Sequence, residues 1–274
     1  MSNVAFALSL TVFAGLATGF GGLICIFAKT TNKKFLSACL SFSAGVMIYV
    51  SFAEILSESF EYLESAFQSG YTIATLSFFA GIILIALIDK IFTHDDDVAD
   101  LINPKSDKSN RISLSSVDQR DLKRTGVMSW VAVSVHNLPE GLVTFMAAMY
   151  DPALGIAIAI AITIHNIPEG IAVAAPIYYS TGSKTKAFRA SVAAGLTEPL
   201  GAVIAWLLLQ NIFGDMDGLF GITFAVAAGI MVFVAIHQLL PTAQKYGKHH
   251  VVMRWLFAGM AVMAVSLIVL EGLF

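Results

Sequence analysis

GVMSWVAVSVHNLPEGLVTFMAAMYDPALGIAIAIAITIHNIPEGIAVAAPIYY, residues 126–179, holds one six-residue phrase twice. The first copy is His136-Asn137-Leu138-Pro139-Glu140-Gly141 and the second is His165-Asn166-Ile167-Pro168-Glu169-Gly170, 29 residues later. Each copy lies inside an apolar segment, and about 20 such residues span a bilayer as a helix. A charged side chain at the centre of such a helix costs roughly 2.5–3.5 kcal/mol on insertion scales, so by default it marks a functional site. Only a few residues join the two segments, so they run antiparallel and carry the two phrases to similar depth, which implies a pseudo-two-fold axis in the membrane plane.

Composition agrees with a membrane setting. Of 274 residues, 57% are hydrophobic and 13% charged, against about 25% charged in soluble domains. A formal net charge of −3 gives no reason to expect nucleic acid as a partner. Cys25 and Cys39 fall in apolar spans and read as small buried hydrophobes. Met1-Ser2-Asn3 lacks the basic residues of a signal peptide, so the first apolar run is expected to be a retained helix. The expected fold is an all-α integral membrane protein of eight transmembrane helices, at 4–28, 35–57, 71–92, 126–148, 153–179, 190–210, 219–241 and 254–273. Residues 1–274 are expected to form a single transmembrane domain, with 93–125 as a flexible cytoplasmic loop. All 16 Lys and Arg fall in alternate connections, while Glu58, Glu61, Glu64, Asp151, Asp215 and Asp217 fall in the others. Positive charge stays inside, so both termini are expected outside.

Within each phrase the first His and the Glu are four apart, and the Asn and the Glu three apart. At about 100° per residue the carboxylate lies between imidazole and amide and can be shared by both. Such an arrangement suits two neighbouring ions bridged by Glu140 and Glu169, or one ion with alternative positions. Pro139 and Pro168 remove N–H groups, which frees the carbonyls of Val135 and Ile164. Glu198, in Thr197-Glu198-Pro199, lies well inside the sixth span and completes the cluster. The candidate metal ligands are therefore His136, Asn137, Glu140, His165, Asn166, Glu169 and Glu198. Imidazole with carboxylate suits zinc, amide and carboxylate oxygens suit manganese or ferrous iron, and without cysteine the set is not a tight structural zinc site.

Lesser candidates for a transport pathway are Met47, Ser51, Glu54 and His237. Met47, Ser51 and Glu54 are expected to share one face of the second span. Glu54 reads as either a pathway residue or a solvated carboxylate at the outer helix end, and Met47 as a soft ligand or core filler. His237, in His237-Gln238, lines an exit path or rests at the interface. His94-Asp95-Asp96-Asp97 and His249-His250 read as weak metal sites or solvated polar runs. Gly15 and Gly19 suit close helix packing.

The paired phrases, the eight spans and the long inner loop resemble the ZIP (Zrt/Irt-like) family of divalent metal transporters, with the bacterial zinc permease branch nearest. The resemblance implies no enzyme and no cofactor. It implies inward transport of Zn2+, with overlap to Fe2+, Mn2+, Cd2+ and Co2+, in a multi-pass protein of the bacterial cytoplasmic membrane, and homodimers in at least some members. One ion position would take His136, Glu140, His165 and Glu169, with Met47 as an additional candidate. The second would take Asn137, Glu140, Asn166, Glu169 and Glu198. Relatives often carry an acid where this chain reads His237-Gln238. The competing reading from another class is an intramembrane metal-dependent hydrolase. It is weakened by the lack of His-Glu-x-x-His. A purely structural polar network is the third.

Overall fold

The computed structural model describes residues 2–27, 32–94, 116–211 and 217–271. The described residues are almost wholly helical, with no strand among them. Helix α1 runs Ser2–Ile26. Helix α2 runs Lys33–Ala66, with a π turn at Ser51–Ile55. Helix α3 is Gly70–His94, α4 is Ser116–Tyr150 and α5 is Pro152–Thr181. Helix α6 comprises Lys184–Gly195 and Thr197–Asn211 on either side of a break at Leu196. Helix α7 joins Asp217–Val234, a π turn at Ala235–Leu239, and Leu240–Tyr246. Helix α8 is His249–Glu271.

Seven of these helices are long and apolar enough to cross a membrane. The eighth, α4, is 35 residues long and carries a polar phrase together with a charged first third. Apolar side chains stay exposed at helical spacing, as lipid contact requires. Examples are Phe13, Leu16 and Phe20 on α1, and Leu76, Phe79, Ile83 and Leu87 on α3.

Several expected boundaries shift. The apolar run of the second span ends near residue 57, but α2 continues to Ala66 because Ser59 and Leu63 bury against α7, where the Ser59 hydroxyl donates to the Gly221 carbonyl at 2.7 Å. Glu54 is therefore mid-helix, not at a helix end, and Glu58, Glu61 and Glu64 are helical residues rather than loop acids. The loop expected over 93–125 is helix through His94 and again from Ser116; Asp95 to Asp97 lie outside the described residues. The sixth span is interrupted at its middle. Pro199 removes an N–H there, and the Thr197 hydroxyl turns back to the Ala194 carbonyl at 2.6 Å.

The α4–α5 hairpin turns on Asp151, whose carboxylate caps the Ala153 N–H at 2.9 Å, with Pro152 in the first helical turn. Cβ atoms placed on Gly155 and Gly126 would meet Ala148 and Ile177 respectively. That antiparallel register sets residue 138 opposite residue 165. Gly182, at φ 68°, ends α5 in the left-handed conformation that glycine adopts at least cost.

The helices sort into two bundles: α1, α4, α5 and α6 pack on one another, and so do α2, α3, α7 and α8. Glycines make the tight backbone approaches within each. In the first, Gly15 meets Gly195, Gly170 meets Thr18, and Gly141 meets Glu198. In the second, Gly45 meets Leu256, Gly229 meets Phe78, and Gly259 meets Phe42. Among the described residues, none of these glycine approaches crosses from one bundle to the other. Helix α5 against α2, and α4 against α7, make the main seam between them. Cys25 is buried and Cys39 half-buried; both are free thiols.

Candidate metal site

The antiparallel register of α4 and α5 brings His165 against the turn that carries His136 and Glu140. Glu140 Oε1 lies 2.7 Å from His165 Nε2 and 2.7 Å from His136 Nε2. His136 Nε2 is also 3.5 Å from Glu169 Oε1. One carboxylate oxygen thus sits between two imidazoles, as the four-residue spacing on α4 anticipates. Ligand atoms from His136, Glu140 and His165 lie within 4.8 Å of one another, a span that an ion about 2.0–2.2 Å from each nitrogen and oxygen can bridge. All three residues are buried, with Glu169 beside them.

The amides form the second part of the cluster. Asn166 donates through Nδ2 to the Ala14 carbonyl at 3.0 Å and to Glu198 Oε2 at 2.8 Å. Asn137 Nδ2 donates to the Ala194 carbonyl at 3.2 Å. With the nitrogens engaged, each amide leaves its oxygen unpaired. Asn137 Oδ1, Asn166 Oδ1, Glu140 Oε2, Glu198 Oε1 and both Glu169 oxygens are buried without a hydrogen-bond partner. A buried unsatisfied acceptor costs about 1–3 kcal/mol, so this concentration of acceptors needs a compensating cation or water. Glu198 occupies the first turn of the second half of α6. A half-helix N-terminus at that point holds an anion favourably.

The glycine that ends each phrase has a packing role that its spacing alone does not reveal. A Cβ on Gly141 would collide with the carbonyl oxygen of Glu198, and one on Gly170 with that of Thr18. Each phrase thus places its glutamate one residue from a backbone-to-backbone contact.

The secondary candidates separate. Glu54 and Glu58 line a cavity of about 40 Å3 together with Glu140, His165, Ile162 and Phe224, room for more than one water since each needs about 10–15 Å3 on this measure. Glu54 Oε2 is buried and unpaired. The π turn at Ser51–Ile55 leaves Met47 and Ser51 one helical turn apart but shifts Glu54 away from the face they share. Ser51 donates its hydroxyl to the Met47 carbonyl at 2.6 Å, and the Met47 side chain is buried in the core. His237 stands apart from the phrases, against Phe233 and 3.5 Å from Asp89. His249 and His250 are exposed at the start of α8. The hydropathy falls before Glu58, and the helical spacing of Ile55, Ser59 and Leu63 is the sequence signal that carries the helix on to it and to the cavity wall.

The family model for the ZIP zinc transporters matches residues 94–267. The chain belongs to the ZIP family. Over nearly its whole length it is similar to ZupT-type members of that family. It is 48% identical to the zinc transporter ZupT of Clostridium perfringens, covering 98% of this chain and 97% of the relative. It is also 48% identical to the ZupT proteins of Nitratidesulfovibrio vulgaris and Streptococcus mutans, covering 97% and 96% of each chain respectively. ZIP proteins are transporters rather than enzymes, which removes the hydrolase reading. With seven helices among the described residues long and apolar enough to cross a membrane, this ZIP protein is a multi-pass protein of the cell membrane.

Proposed function

We propose that this chain carries divalent cations, chiefly zinc, into the cell across the bacterial cytoplasmic membrane. The observation that carries the proposal is the Glu140 carboxylate oxygen shared between His136 and His165 at 2.7 Å each, within a buried field of unpaired acceptors. The ZupT names of its relatives support zinc as cargo. One ion position uses His136, Glu140, His165 and Glu169. The other uses Asn137, Glu140, Asn166, Glu169 and Glu198. Mixed imidazole, amide and carboxylate ligands hold an ion moderately and release it, and they extend the range to ferrous iron, manganese, cadmium and cobalt. Met47, Ser51 and His237 stay as pathway candidates with less structural support than Glu54.

The charge pattern puts the basic connections in the cytoplasm and both termini outside. In this orientation the cavity beside Glu54 and Glu58 is the outer approach. The paired helices α4 and α5 act as pseudo-two-fold partners about the site, residues 1–274 act as one domain, and the chain works as a monomer or homodimer. Purified protein in liposomes admits zinc, and Glu140→Ala and Glu169→Ala abolish the flux while the protein still elutes as a folded species. Normal flux in both variants sinks the site as drawn.

A further inference from the structure

The seam between the two bundles differs at its two ends. Beside the site it holds the cavity formed by Glu54, Glu58 and Phe224 of one bundle with Glu140 and His165 of the other. At the basic end it is zipped by polar side chains. Arg124 of α4 donates through Nε and Nη2 to the two carboxylate oxygens of Asp89 on α3. Gln238, from the π turn of α7, donates to the same carboxylate at 2.8 Å. Next to them the hydroxyls of Thr125 on α4 and Thr242 on α7 lie 3.0 Å apart, and Lys245 of α7 meets Asp121 of α4 at 2.6 Å.

These contacts form a built array. Asp121, Arg124 and Thr125 follow helical spacing on α4, as Gln238, Thr242 and Lys245 do on α7. Asp89 is 5% exposed, and its carboxylate is met by the two-pronged guanidinium contact, by the amide and, at 3.5 Å, by His237. A cavity of about 290 Å3 borders the array on Asp121, Arg124, Thr125, Thr242 and Lys245. Water therefore reaches the zipper from the basic side. Arg124 lies sixteen residues before Glu140, about 24 Å along α4 at 1.5 Å per residue, so the array is remote from the ligands.

We propose that Arg124–Asp89–Gln238, Thr125–Thr242 and Asp121–Lys245 form a polar latch that closes the basic end of the seam while the site is reached from the acidic end, and that it parts when the ion leaves toward the basic end. A latch of charge-assisted contacts suits this role better than an apolar seal. Each rung can exchange its partner for water from the neighbouring cavity, whereas a buried apolar contact has no such substitute. The proposal rests on the carrier reading for its purpose, but opening of the latch is measurable without zinc.

Two measurements test it in a background with Cys25 and Cys39 replaced by alanine. In the first, Asp121→Cys with Lys245→Cys is oxidised with copper phenanthroline, and bond formation is followed by loss of maleimide-reactive thiol. Zinc flux in liposomes is expected to stop on cross-linking and to return on reduction. Full flux through the cross-linked protein overturns the latch. If the parent with only Cys25 and Cys39 replaced also fails to carry zinc, the carrier reading fails and the second measurement alone decides the latch. In that measurement Thr125→Cys is labelled with a membrane-impermeant maleimide in detergent. Arg124→Gln is expected to raise the labelling rate about tenfold, and the swapped pair Arg124→Asp with Asp89→Arg to return it toward the parent. Unchanged labelling in Arg124→Gln overturns the latch, as does a melting-temperature loss without any change in labelling.

Discussion

Replacing Gly170 with alanine tests whether backbone contact sets the site. The added Cβ would overlap the Thr18 carbonyl oxygen and lie 2.9 Å from Ser191 Oγ. Ser191 already donates to that same carbonyl. Neither the Cβ nor the carbonyl can rotate away, so α1 and α5 must separate by about 1 Å, and overpacking of this kind costs about 1–3 kcal/mol. Gly229→Ala offers the control. Its Cβ would meet the Phe78 carbonyl oxygen in the other bundle, so a similar stability loss is expected without displacement of Glu169. Misplacing a reacting group by 1 Å costs on the order of a hundredfold in catalysis, which serves as a guide to the expected loss of zinc flux in Gly170→Ala. The assay pairs flux into liposomes with thermal unfolding of the same preparations. Equal flux loss in Gly229→Ala, or undiminished flux in Gly170→Ala, refutes the reasoning.

Two further outcomes follow from the site. Glu54→Gln with Glu58→Gln keeps the shape of the outer cavity and removes its charge, so the half-saturating zinc concentration should rise about tenfold, with little change in maximal flux, at low salt; added salt should narrow the gap to the parent, and an unchanged half-saturation excludes an electrostatic approach. Histidine and carboxylate ligands must shed protons to hold an ion. Flux should therefore fall as the outside is acidified and recover on return to neutral pH, whereas a flux that rises with acidification would point to proton-driven uptake.

The site was legible because its chemistry sits in an environment that rejects it. Two histidines, two glutamates and a third carboxylate in apolar helices have few structural explanations, and their spacing already put Glu140 between imidazole and amide. The packing that tunes the site was less legible. Pro139 and Pro168 sit inside unbroken helices, while the break fell at Leu196, where Pro199 acts together with the turning hydroxyl of Thr197. Hydropathy stopped the second span near residue 57 because Glu58, Glu61 and Glu64 break the apolar run there. Helix α2 continues because its small and apolar side chains find a partner in α7, a fact about tertiary packing that no window average carries. The Arg124–Asp89 pair joins residues 35 apart and left no local pattern. Its members looked like ordinary charges at the ends of spans.

The π turn in α2 lets one rod keep two sets of neighbours. Before it, Lys33–Val50 packs on α8, α5 and the last part of α7 from Ala235 to Tyr246; after it, Leu56–Ala66 packs on Asp217–Val234 of α7 and on α3. A π turn holds one residue more than the α-helical ladder requires, and that extra residue turns the later half by roughly 100° without a loop. Counting in sevens from Met47 therefore misassigns each position beyond Ser51. The supernumerary residue works as a phase shifter: deleting it would leave the helix intact yet rotate Glu58 off the cavity wall and Leu63 off its seat, an unusual case in which the shorter and more regular helix would be the damaged one.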